Sequence, residues 1–169
     1  MAAICFLFLC TLGPISLSIG FIDISLQSYF IMLLALCLRP LPSFVFLISY
    51  LIIGALGMPV FSGYNSGYSY LFSASAGFLY AFPLFALFFS WLVVKHKNNL
   101  FKIFIDSLIA QIGLIIIGFS WLMIQIQVPF EKITENVVWL LPGLVIKSIL
   151  IALSNYVIIK GLFSAKSVD

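Results

Sequence analysis

Long apolar runs separated by short polar connections fill this sequence, and the positions of the breaks predict six membrane helices. Ala2 to Leu17 is apolar but interrupted at Gly13 and Pro14. It reads as a first, broken membrane helix rather than a secretory signal, which would need a basic region ahead of it. A connection with Asp23 leads to a second span, about Leu26 to Leu38, which Arg39, Pro40 and Pro42 close. The third span covers about Pro42 to Leu56, and the fourth about Gly77 to Val94 with Pro83 inside it. The fifth covers about Phe101 to Ile124, and the last about Val137 to Leu162. A proline within a membrane helix is tolerated where neighbouring helices satisfy the freed carbonyl.

One stretch does not follow this alternation. From Tyr50 to Leu79 an apolar helix runs into Gly54, Gly57 and Pro59, then into a glycine, serine and tyrosine segment without a single charge. Solvated loops are usually richer in Asp, Glu and Lys. Glycine lets backbone approach a ligand closely, and tyrosine offers an apolar face with a polar tip. The segment is expected to be a lid or wall over a small, partly apolar molecule, with a plain re-entrant cap of the bundle as the alternative.

Composition turns this pattern into a class. The chain is 64% hydrophobic and 8% charged, with a mean hydropathy of +1.27, too few polar groups to cover a soluble globule. The expectation is an all-α integral membrane protein of one domain, residues 1–169, in a lipid bilayer. The formal net charge of +3 is too weak and dispersed for nucleic-acid binding. It does set topology. With a cytoplasmic amino terminus, Arg39, Lys95, Lys97, Lys102, Lys160 and Lys166 fall inside and Lys132 outside, so both termini are expected in the cytoplasm and the glycine and tyrosine segment faces outward. Trp91, Trp139 and Tyr156 near span ends are expected interface anchors.

Little of the chemistry needed for catalysis is present. Cys5, Cys10 and Cys37 lie in apolar runs without metal or redox spacing. No phosphate-binding loop ending in Gly-Lys-Ser or Gly-Lys-Thr occurs. No metal-ligand cluster or cofactor motif is visible either, so an enzyme is the weaker class of reading. Lys147 is the sharpest residue. It lies about ten residues into the last span, roughly 15 Å below the helix end, where a charge costs about 2.5–3.5 kcal/mol to insert and so faces a cavity or partner. Pro142 and Gly143 are expected to break or bend the helix above it. Asp106 is read as paired with Lys102 one turn away, Gln111 and Asn155 as interhelical hydrogen-bonders, and His96 as a solvated residue.

Several pieces together resemble the BioY family: Ser25-Leu26-Gln27-Ser28, the run YLIIGALGMPVF from Tyr50 to Phe61, Ala76-Gly77-Phe78-Leu79, and Pro142-Gly143 followed by Lys147. The resemblance covers about Ile24 to Ile151. It implies a biotin-binding S component of an energy-coupling factor (ECF) transporter, with six membrane helices and a biotin site near the outer face. The implied partners are a transmembrane T component and two cytoplasmic ATPase subunits, and the implied location is a bacterial cytoplasmic membrane. It also implies ligand contacts at Gln27, Asn65, Tyr68 and Lys147. The chain departs from the family pattern at Ser73 to Gly77, where members carry Gly-Pro-Thr-Gly-Gly, and at Leu144, where an aspartate is common. Its first helix places Leu7 and Thr11 after Ala3, in place of alanines at spacing four. The other readings are a carrier for another small vitamin or carboxylate, and a membrane assembly protein.

Overall fold

In a computed structural model, the described residues are 2–19, 22–127 and 130–165. For 17–19, 22–24, 126, 130–137, 139 and 160–165 the backbone alone is described. The side chains of Trp139, Lys132 and Lys160, and all of Lys166, thus lie outside the described set. Six helices are present among the described residues: α1 (Ala2–Thr11), α2 (Gln27–Cys37), α3 (Pro40–Ala55), α4 (Ala76–His96), α5 (Leu100–Ile126) and α6 (Phe130–Ala165). The expected helical class holds, with one addition. The connection around Asp23 is a short antiparallel hairpin, β1 (Ser16–Ile19) and β2 (Ile22–Ser25).

The helix bounds follow local chemistry. Arg39 is extended and Pro40 occupies the first turn of α3, where its missing N–H is no loss. Asn99 caps α5, its Oδ1 accepting from the Lys102 N–H at 3.0 Å. Helix α6 runs on through Pro142 rather than breaking there. Among the described residues three helices are long and apolar enough to cross a membrane: Ala76–His96, Leu100–Gln125 and Leu140–Ile159. Helices α1, α2 and α3 are apolar but shorter.

The core is largely apolar, with Leu34, Tyr50 and Phe89 fully enclosed, and a few polar side chains are buried within it while large apolar ones also cover the outside. Gln27, Ser43, Ser90, Gln111, Ser148 and Asn155 are buried, while Ile52, Leu84, Ile116 and Val157 face outward. A bilayer favours this arrangement, since interhelical hydrogen bonds satisfy polar groups that lipid cannot. Helices α4 and α5 meet closely through glycines. A Cβ on Gly77 would stand 2.2 Å from Trp121 Cβ, and one on Gly118 would stand 2.2 Å from the Phe78 ring.

Residues between α3 and α4 form two 3-10 turns, Ser62–Tyr64 and Tyr68–Phe72. Gly57 and Gly67 have φ of 106° and 92°, a region costly for other residues. The segment is tied down at many points. The Gly63 N–H donates to Pro14 O at 2.9 Å and the Gly67 N–H to Gly54 O at 2.8 Å. Tyr80 Oη donates to Leu71 O at 2.6 Å, and Trp121 Nε1 to Ser73 O at 3.1 Å.

The two ends of the bundle are therefore distinct. At one end the hairpin and the glycine and tyrosine segment meet. At the other, Ser90 Oγ donates to Leu38 O at 2.5 Å, and Asn155 Nδ2 to Lys97 O at 2.9 Å, drawing together the turns that carry Arg39 and Lys97. Here two of the polar assignments change. His96 is half-buried, and its Nδ1 lies 2.7 Å from Asp106 Oδ2. Lys102 is exposed and is not Asp106's partner. Packing of α5 against α4 places the imidazole on the carboxylate, which a reading confined to one helix does not reveal.

Candidate ligand-binding site

A cavity of about 770 Å³, its open mouth included, lies between β2, the start of α2, the looped segment and α4 to α6. Its walls are mainly apolar, with Phe78, Leu79, Phe82 and Leu122 among them, and a few polar groups converge on it.

Gln27 opens α2 and is 2% exposed. Its Nε2 donates to Tyr50 Oη at 2.6 Å and to Val60 O at 3.2 Å, and its Oε1 accepts from Ser25 Oγ at 3.2 Å. Tyr50 Oη donates in turn to Val60 O. Both amide hydrogens and the amide oxygen are thus engaged, fastening α2, α3 and the looped segment to one another. Phe61 stacks on Tyr70, which lines the cavity, with ring centroids 5.3 Å apart. Tyr50 meets the Phe61 ring edge-on at 5.8 Å.

Opposite this cluster α6 presents Lys147. Its Nζ donates to Ser25 O at 2.8 Å and Ser28 Oγ at 2.9 Å. An ammonium carries three hydrogens, so one is left after these two bonds. Gln111, on α5, is 1% exposed and lines the same cavity. Its Nε2 donates to Ser148 Oγ at 2.8 Å, as expected of an interhelical bond, but its Oε1 has no hydrogen-bond partner. The same holds for Ser62 Oγ. A buried acceptor left unmet costs about 1–3 kcal/mol. Among the described lining residues there is no carboxylate.

Of the four candidate contacts, Gln27 and Lys147 therefore meet at the cavity. Asn65 and Tyr68 do not line it and are exposed. Asn65 Nδ2 donates to Ser62 O at 2.7 Å, and the Tyr68 ring sits edge-on to Phe72 at 5.1 Å. Asn65 is thus bonded to Ser62, which lines the cavity. The sequence did not single out Gln111 as a lining residue, nor Tyr50 and Tyr70. Gln111 recurs at helical spacing with Ser107 and Leu114, so a polar residue on the inner face of α5 was the available signal.

Fold and cavity define a class, that of membrane-embedded helical bundles enclosing a mainly apolar cavity, with Lys147 the cation among its described lining residues. Within it the chain belongs to the BioY family, whose sequence profile matches residues 1–162. It is 32% identical over 120 residues to the biotin transporter BioY2 of Lactococcus lactis, covering 71% of this chain and 66% of that one. It is also 34% identical over 110 residues to a probable biotin transporter BioY of Pyrococcus horikoshii, covering 65% of this chain and 64% of that one. These matches span just under two-thirds of the relatives' lengths. The fold is similar to the crystal structure of the S-component for biotin from an ECF-type ABC transporter, with a TM-score of 0.85 at 25% identity, covering 94% of this chain and 88% of that one.

Proposed function

We propose that this chain captures biotin from outside the cell and carries it across the cytoplasmic membrane as the substrate-binding subunit of an ECF-type transporter. The observation that carries the reading is the Lys147 ammonium turned into a mainly apolar cavity, in a chain whose relatives are named biotin transporters. Biotin offers an apolar bicycle and tail with polar groups at both ends. A cation with one hydrogen left suits either its ring carbonyl or its carboxylate.

In this reading all six helices cross or enter the bilayer, and both termini are cytoplasmic. Arg39, Lys95, Lys97 and Lys102 then gather at the cytoplasmic end, away from the cavity, as the positive-inside rule favours. Lys95 Nζ lies 3.4 Å over the Trp91 ring there, a pairing suited to the membrane interface. The chain sequence offers no phosphate-binding loop, so energy would come from a T component and two ATPase subunits supplied by other chains. Gln27 and Lys147 serve as polar contacts, with Asn65 and Tyr68 shaping the outward segment.

Calorimetry of the purified chain with biotin and a panel of other small vitamins tests the ligand. Saturable binding of biotin alone supports the reading; preference for another vitamin replaces biotin with that compound, and no binding by any sinks it. Cysteine labelling at position 98 tests the orientation, which fails if that position is reachable only from outside.

A further inference from the structure

The cavity holds donors and acceptors in unequal states of use, and this singles out Gln111. Gln27 has both amide hydrogens donated and its oxygen already accepting one bond, and Lys147 already bonds β2 and α2. Gln111 Oε1 is instead an acceptor without a partner on a side chain 1% exposed, held in place by the Nε2 bond to Ser148. Ser148 is the next residue after Lys147 on α6. One remaining N–H of the ammonium and one unmet amide oxygen therefore belong to residues that line the same cavity from α6 and α5. With no carboxylate among the described lining residues, recognition of a ligand N–H falls to amide and hydroxyl oxygens.

We infer that Gln111 is a specificity-determining residue whose Oε1 accepts a ligand N–H while Lys147 donates to the adjacent carbonyl. The matching chemistry is a cyclic urea or lactam, which carries a carbonyl and an N–H on neighbouring atoms. This deepens the biotin reading and rests on it, assigning the ring's ureido group to the α5 and α6 side of the cavity. A site built to receive an N–H discriminates against a ligand that lacks it, because the buried oxygen is then left unpaired.

The test is a cycle of two proteins and two ligands. The parent and Gln111→Met, which keeps the side-chain length, are each titrated with biotin and with biotin methylated on a ureido nitrogen. Methylation is expected to weaken binding to the parent on the order of 10- to 100-fold and to Gln111→Met by less than about threefold. Gln111→Glu, which retains an acceptor, should keep the parent's discrimination, and it remains informative if the Met variant does not fold. An equal methylation penalty in the parent and Gln111→Met overturns the assignment, as does loss of discrimination in a folded Gln111→Glu. Failure of the parent to bind biotin at all is a separate result and overturns the biotin reading itself.

Discussion

The two ends of the bundle handle polar groups differently. At the basic end the buried groups pair within the protein: His96 with Asp106, Ser90 with Leu38 O, Asn155 with Lys97 O. At the cavity end Gln111 Oε1 and Ser62 Oγ have no partner, and Lys147 keeps one hydrogen beyond its two bonds. Satisfied networks rigidify, whereas unmet buried groups cost free energy that only an incoming molecule can recover. The difference marks the cavity end as the candidate site without reference to any relative.

Substitutions at the two ends should accordingly separate affinity from stability. The largest effect is expected at Lys147. Lys147→Met should weaken biotin binding by about 1.5–3 kcal/mol, on the order of 10- to 150-fold, the usual worth of a hydrogen bond to a charged group. Most of the ligand-induced rise in melting temperature should go with it. The parent's full thermal shift in this variant would make the lysine a purely structural tie to Ser25 and Ser28.

Gly118→Val comes next, because its side chain would meet the Phe78 ring, which lines the cavity. Overpacking of this kind costs about 1–3 kcal/mol. Both melting temperature and affinity should fall, and an unchanged melting temperature would show that α4 and α5 are more loosely packed than described. Asn65→Ala should lower affinity by about 0.5–1.5 kcal/mol, the net worth of its bond to Ser62 O. Titration showing parent-like affinity would remove the looped segment's turn from ligand binding. The smallest change is expected for Asp106→Asn, about 1 kcal/mol or less in stability, since His96 is partly exposed. Biotin affinity should not move; a clear loss would mean that the basic end is not independent of the site.

Much of the helical layout was legible because apolar runs and their proline and glycine boundaries are local signals. Arg39 with Pro40 marks the junction of α2 and α3, and Lys95 to Asn99 marks that of α4 and α5. The inward Lys147 was legible too, since a lone charge in a membrane run has few alternatives. Features fixed by tertiary packing were not. The hairpin at Ser16–Ser25 depends on pairing between short strands, and the His96 and Asp106 contact on how two helices meet. Pro142 and Gly143 read as a break or a bend, and of the two the break is absent, since α6 continues through them. Gln111 was visible as polar and interhelical, yet which of its two amide atoms lacks a partner is a property of geometry that residue type cannot report.

The unbroken course of α6 has a mechanical consequence. At 36 residues it is about 54 Å long at 1.5 Å per residue, well beyond a hydrocarbon core of roughly 30 Å. It carries Lys147 at the cavity and Asn155, bonded to Lys97 O, at the opposite pole. Two turns of continuous helix, about 12 Å, separate them. Continuous helix resists stretching, so an axial displacement imposed on Lys147 is expected to reach the Lys97 turn through the Asn155 bond, as by a push-rod. Hydrogen exchange at the Lys97 to Asn99 amides reads this directly: protection that responds to biotin shows the rod engaged, and identical protection with and without biotin shows it slack.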